Sequence, residues 1–110
     1  MLNKEANKNL QLIKETALNI WGDNCTFSEL DVKDSPYAEF ELPVCLYQKV
    51  KVGIYYDRSA LDIGLWQDGK YVLLGKFTEK PVFRGFKAMK PENLEYNFNV
   101  LDEVIHRKFL

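Results

Sequence analysis

The chain has 110 residues, of which 46% are hydrophobic, 14% aromatic and 28% charged, and its 15 basic and 16 acidic side chains leave a net charge of −1. That composition excludes an intrinsically disordered chain, and near-neutrality argues against a general polyanion binder, which needs a continuous basic stripe. A chain of this length buries about two-thirds of its surface on folding and has little room for a second core, so one domain over residues 1–110 is expected.

The first twelve residues carry Lys4, Glu5, Asn7, Lys8 and Asn9 and hold no apolar core of signal-peptide length. No run of about 18 apolar residues offers a membrane span. Two separated cysteines, Cys25 and Cys45, are too few for a disulfide framework or a metal knuckle. The expectation is a reduced, cytoplasmic protein with no membrane association.

From Leu2 to Trp21 the apolar residues Leu2, Ala6, Leu10, Ile13, Ala17, Ile20 and Trp21 fall on one stripe, which predicts an amphipathic helix ended at Gly22. The period then changes to two. Thr26 to Val32 reads as a short strand, followed by a turn at Asp34-Ser35-Pro36. Even positions from Ala38 to Tyr56 are apolar except Gln48, and Pro43 with that interruption predicts two strands joined near residues 43–48.

Asp68-Gly69 between alternating runs is the preferred chemistry of a two-residue type I′ hairpin, because both central residues need positive φ. It sets Gln67 opposite Lys70, Trp66 opposite Tyr71, Leu65 opposite Val72, Gly64 opposite Leu73 and Ile63 opposite Leu74. A loop over Asp57-Arg58-Ser59-Ala60 sets Tyr56 opposite Leu61, Ile54 opposite Ile63 and Val52 opposite Leu65. Both registers give one apolar face, with Val50, Val52, Ile54, Tyr56, Leu61, Ile63, Leu65, Val72 and Leu74. The second face carries Lys49, Lys51, Gly53, Tyr55, Asp62, Gly64, Trp66, Tyr71, Leu73 and Gly75.

Residues 79–90 lose the alternation and read as a loop or irregular strand. Pro91-Glu92 then suits a helix first turn, and Leu94, Phe98, Leu101, Ile105 and Phe109 form a second helical stripe, with Asn99 as the alternative N-cap. The expected fold class is α+β: an N-terminal helix, an antiparallel meander sheet of about five strands and a C-terminal helix, in a two-layer sandwich. This order of elements resembles that of the frataxin fold and of several small secretion-chaperone and immunity-protein folds, a likeness that implies nothing about activity.

Catalytic chemistry finds little inventory. His106 is the lone histidine, there is no glycine-rich phosphate loop, and Glu39 and Glu41 alternate with Phe40 and Leu42 on the outer side of one strand. Neither an enzyme, nor a metal site, nor a cofactor is expected. Charge is uneven along the chain. Between Cys25 and Pro43 the acids Glu29, Asp31, Asp34, Glu39 and Glu41 face only Lys33, whereas Lys80, Arg84, Lys87 and Lys90 have no acid among them between Lys80 and Pro91. Opposed patches steer association and orient a partner.

Tyr55, Trp66 and Tyr71 on the second sheet face have the composition of interaction hot spots. Together these features point to a non-enzymatic protein-binding module. Its narrowest form is an immunity- or antitoxin-type inhibitor whose acidic and aromatic surface occludes a basic toxin or nuclease. The alternative is a small-ligand or single-stranded nucleic-acid-binding domain using that face and the loop Phe83-Arg84-Gly85-Phe86-Lys87, where rings alternate with cations. Net acidity weighs against nucleic acid.

Overall fold

A computed structural model describes residues 4–27, 40–47, 50–57 and 60–109. The fold is α+β, with helices and an antiparallel sheet. Helix α1 covers Lys4–Trp21 and helix α2 covers Pro91–Lys108. Strands β1 (Cys25–Phe27), β2 (Phe40–Tyr47), β3 (Val50–Asp57), β4 (Ala60–Gln67) and β5 (Lys70–Leu73) follow in sequence order, each paired antiparallel with the next.

The β2–β3 and β3–β4 ladders form the centre of the sheet. Pro43 lies inside β2 rather than at its end, and the ladder with β3 slips between Pro43 and Cys45. A bulge there suits a residue that has no N–H to give. Between β3 and β4 the register is Val52 to Leu65, Gly53 to Gly64, Ile54 to Ile63, Tyr55 to Asp62 and Tyr56 to Leu61, as alternation predicts. Asp57 also pairs with Ala60, so the connection is two residues rather than four.

The β4–β5 hairpin has the predicted pairs from Gln67–Lys70 to Gly64–Leu73. Asp68 and Gly69 have φ of 52° and 79°, both positive as a type I′ turn demands. Ile63 opposite Leu74 is not found. Leu74 opens a 3₁₀ turn, Leu74–Lys76, in which it is fully buried. Phe77 follows it into the core and meets Phe109 edge-on, with ring centroids 5.4 Å apart. Burial of these two side chains draws the chain off the sheet edge one residue early and takes Gly75 out of the sheet face.

Val52, Ile54, Leu61, Ile63 and Leu65 from the apolar sheet face are buried with Ile13, Ala17 and Trp21 of α1 and Leu94, Phe98, Leu101 and Ile105 of α2, in one cluster. The C-terminal helix starts at Pro91, not Asn99, and its predicted stripe is the buried one. Trp21 stacks obliquely on Phe98 at 5.4 Å, and its indole N–H donates to Asp102 Oδ1 at 2.8 Å, joining the two helices. No helix among the described residues is long and apolar enough to cross a membrane.

Candidate functional site

The sheet face opposite the apolar one is built in cross-strand rows. In the first, Glu41 of β2, Tyr55 of β3 and Asp62 of β4 are successive partners. In the next, Pro43, Gly53, Gly64 and Leu73 are successive partners. Beyond the glycines come Lys51 of β3 and the Trp66–Tyr71 pair of β4 and β5.

The two glycines make the centre of this face a floor without side chains, and Tyr71 lies on it. A Cβ at Gly53 would come within 2.6 Å of Tyr71 Cε2, and one at Gly64 within 2.5 Å of Tyr71 Cζ. The phenol donates a long hydrogen bond to the Gly53 carbonyl at 3.4 Å. Trp66 meets Tyr71 at 66° with centroids 5.9 Å apart, and Lys51 Nζ stands 4.6 Å from the Trp66 ring centroid, within cation–π range. The indole N–H of Trp66 is buried and has no hydrogen-bond partner among the described residues. Tyr71 is thus a cover for the floor as much as a projecting anchor, and Trp66 beside it is half-buried.

The sequence-predicted residues fare differently. Trp66 and Tyr71 come together, and Tyr55 and Glu41 share their face by register, although the side chains of Tyr55 and Glu41 lie outside the described part. Glu29, Asp31, Asp34 and Glu39 precede β2 and lie outside the described residues. The basic loop is not the alternating platform its sequence suggested. Phe83 is half-buried, packed edge-on against Tyr96 at 5.5 Å, whereas Phe86 is 71% exposed.

Arg84 forks onto Asp62, with Nε 2.9 Å from Oδ1 and the second contact at 3.3 Å to Oδ2. That hydrogen bond and the carboxylate charge raise the Arg84 pKa above its ordinary value. Lys80 Nζ is 2.6 Å from Glu103 Oε2, and its hydrogen bond and charge hold the Glu103 carboxyl below its ordinary range. Two of the four cations in residues 80–90 are therefore answered by acids, leaving Lys87 and Lys90 exposed without an ion pair among the described residues.

Two residues have structural roles that the sequence reading did not assign to them. Asn97 is fully buried, its Oδ1 accepting from the Phe83 N–H at 3.0 Å and its Nδ2 donating to the Phe83 carbonyl at 2.9 Å. Its position three residues after Leu94 and four before Leu101, inside the apolar stripe, was the available signal. Asp102 likewise sits beside the stripe, accepting from Trp21, while His106 Nδ1 lies 2.9 Å from the Asp102 carbonyl and 3.4 Å from its carboxylate. Among the described residues no group of three or more His, Cys, Asp or Glu side chains is placed to hold a metal ion. Comparisons with protein-family models, with curated proteins and with solved structures return no match.

Proposed function

We propose that the chain is a non-enzymatic protein-binding module whose docking surface is the sheet face carrying Trp66, Tyr71 and Lys51, acting in the cytoplasm. The narrowest form of this reading is an immunity- or antitoxin-type inhibitor that covers the basic cleft of a toxin or nuclease. The register carries it: the Glu41–Tyr55–Asp62 row and the Trp66–Tyr71 pair share one face, on either side of a glycine floor. Aromatic area beside acid suits a cationic protein surface, with the rings supplying desolvated contact and the carboxylates orientation. Glu29, Asp31, Asp34 and Glu39 extend the same sign of charge along the chain before β2.

The test is capture of a partner by the tagged full chain from its native host, repeated with Trp66→Ala and with the paired reversal Glu39→Lys and Glu41→Lys. The expected result is one stoichiometric basic partner, held less well as salt rises and lost with the charge reversal. Recovery of the chain alone, or equal recovery by all variants, overturns the reading. The alternative, a small-ligand or single-stranded nucleic-acid domain, would show instead as oligonucleotide binding at low salt that Arg84→Ala and Phe86→Ala abolish.

A further inference from the structure

Among the described residues, the indole Nε1 of Trp66 is a buried side-chain donor with no hydrogen-bond partner. Buried polar groups are almost always paired, so this one calls for an acceptor that binding brings. Its position shows where that acceptor would enter. A Cβ at Gly53 would come within 3.3 Å of Trp66 Nε1 and within 2.6 Å of Tyr71 Cε2, so the donor and the phenol ring stand side by side over one glycine.

Gly64, the cross-strand partner of Gly53, continues the floor under the ring, with Tyr71 Cζ 2.5 Å from where its Cβ would lie. Tyr71 is itself half-exposed, and its hydroxyl reaches the Gly53 carbonyl only at 3.4 Å, which is long for an O–H···O bond. Turning the ring off the floor gives up little from that bond. It opens a slot one ring thick, floored by backbone and bordered by Trp66, with the indole donor at its side.

The chemistry of the slot selects its occupant. A donor beside an aromatic ring suits a flat apolar group that brings an acceptor and no donor of its own. Proline is such a residue, because it carries a carbonyl and a compact ring and has no N–H to strand. In the polyproline II conformation its carbonyls have no internal partners and the backbone is already extended, which lowers the entropy lost on docking. Ring replaces ring on the glycine floor, and one unmade hydrogen bond is made.

Charge sets the direction of the segment. Glu41 and Asp62 belong to the row on one side of the glycines, and Lys51 lies with Trp66 on the other, its Nζ 4.6 Å from the ring centroid. Arg84 already answers Asp62, so Glu41 is the excess charge of that row. Successive rows on one face are about 7 Å apart along a strand, a span that polyproline II covers in two to three residues at about 3.1 Å each. Cations at that distance from the docked proline meet the acidic row and keep clear of Lys51.

We propose that the docking face takes a proline-rich segment in polyproline II conformation: a proline ring displaces Tyr71 from the Gly53–Gly64 floor, a carbonyl of the segment accepts from the Trp66 N–H, and a basic flank lies toward Glu41 and Asp62. The inference rests on the reading of this face as the docking surface and names the part of the partner that enters it.

NMR titration of the full chain tests it with three blocked peptides: six prolines followed by two arginines, six prolines followed by two glutamines, and a glycine-serine hexamer followed by two arginines. The Trp66 indole proton should move downfield saturably with the first, while that of Trp21, already bonded to Asp102, stays in place. The glutamine peptide should bind roughly threefold more weakly, and the glycine-serine peptide should not shift the signal. Trp66→Phe, which keeps a ring but no donor, should retain the spectrum of the folded chain and weaken the first peptide roughly fivefold. Tyr71→Phe, freed of its bond to the Gly53 carbonyl, should bind at least as tightly as wild type. No saturable shift, equal binding of the glycine-serine peptide, equal affinity of the two proline peptides, unchanged affinity in Trp66→Phe or weaker binding in Tyr71→Phe would each overturn the inference. The docking surface itself survives such a failure if capture of the partner still depends on Trp66 and Glu41, and falls with it if that dependence is absent too.

Discussion

Asn97 does at one residue what a strand does with a ladder. Its amide offers one acceptor and one donor at the spacing of a peptide group, and both go to Phe83, so the segment before Gly85 is held to α2 without a backbone partner. Replacing Asn97 by Ala leaves the part-buried N–H and carbonyl of Phe83 without their partner, each costing up to roughly 1–3 kcal/mol, and should lower unfolding stability by about 2 kcal/mol in urea titration. Asn97→Asp keeps the acceptor but sets a carboxylate against the Phe83 carbonyl. It should be destabilised at neutral pH and partly recovered in acid, where a protonated carboxyl can donate again. Trp66 is the opposite case, a buried indole N–H with no acceptor among the described residues. Trp66→Phe removes that donor while keeping a ring over the floor, so its stability should equal or exceed wild type by up to about 1 kcal/mol, whereas Trp66→Ala should lose stability. A Phe variant markedly less stable than wild type would mean that the indole N–H finds a partner. The apolar stripe signals the burial of Asn97, but neither residue's partner was legible in sequence, because which donor meets which acceptor depends on chain segments 14 residues apart for Asn97 and Phe83.

At the scale of elements, legibility follows how local the cause is. The β3–β4–β5 register could be read from Asp68-Gly69 and from apolar alternation, since a slip by one residue would turn Val52, Ile54, Ile63 and Leu65 out of the core. The exit of β5 could not, because the 3₁₀ turn at Leu74 answers to Phe77 packing on Phe109, 32 residues further on in sequence. The glycine floor lies between these cases: Gly53 opposite Gly64 is evident in the register, but its cover by Tyr71 emerges only in three dimensions. The cover makes two unequal predictions. At Gly53 the three atoms nearest a new Cβ all belong to the side chains of Tyr71 and Trp66, whereas at Gly64 they include the Val72 carbonyl at 2.6 Å. Gly53→Ala should cost about 1–3 kcal/mol in wild type and distinctly less in a Tyr71→Ala background. Gly64→Ala should stay costly in both, because a backbone carbonyl in the ladder cannot step aside. Equal penalties for Gly53→Ala in the two backgrounds, measured by denaturant midpoint, would refute the role assigned to Tyr71.

Across the whole molecule, the charge split read along the chain is partly undone by the fold. The basic run at residues 80–90 brings Lys80 to Glu103 and Arg84 to Asp62, so acids distant in sequence take up half of its cations. What remains of that pole without an ion pair among the described residues is Lys87 and Lys90, a weak basis for holding a phosphate backbone. The Lys80–Glu103 pair also sets a pH dependence. Glu103 has a folded pKa below its ordinary value because Lys80, and to a smaller extent Arg107, favour its charged form. The unfolded state then binds protons more readily, so the pair stabilises the fold above the ordinary carboxylate pKa, and this contribution fades as pH falls through the folded pKa. Both partners are well exposed, so the effect is small and screened by salt. Lys80→Gln should therefore unfold at a slightly lower urea midpoint than wild type at about pH 7 and at low salt, and the two midpoints should merge as pH falls through the lowered carboxyl pKa of the folded state. Raising salt at neutral pH should merge them as well. A gap that persisted in both acid and high salt would place the contribution of Lys80 in the packing of its aliphatic stem on α2, not in its charge.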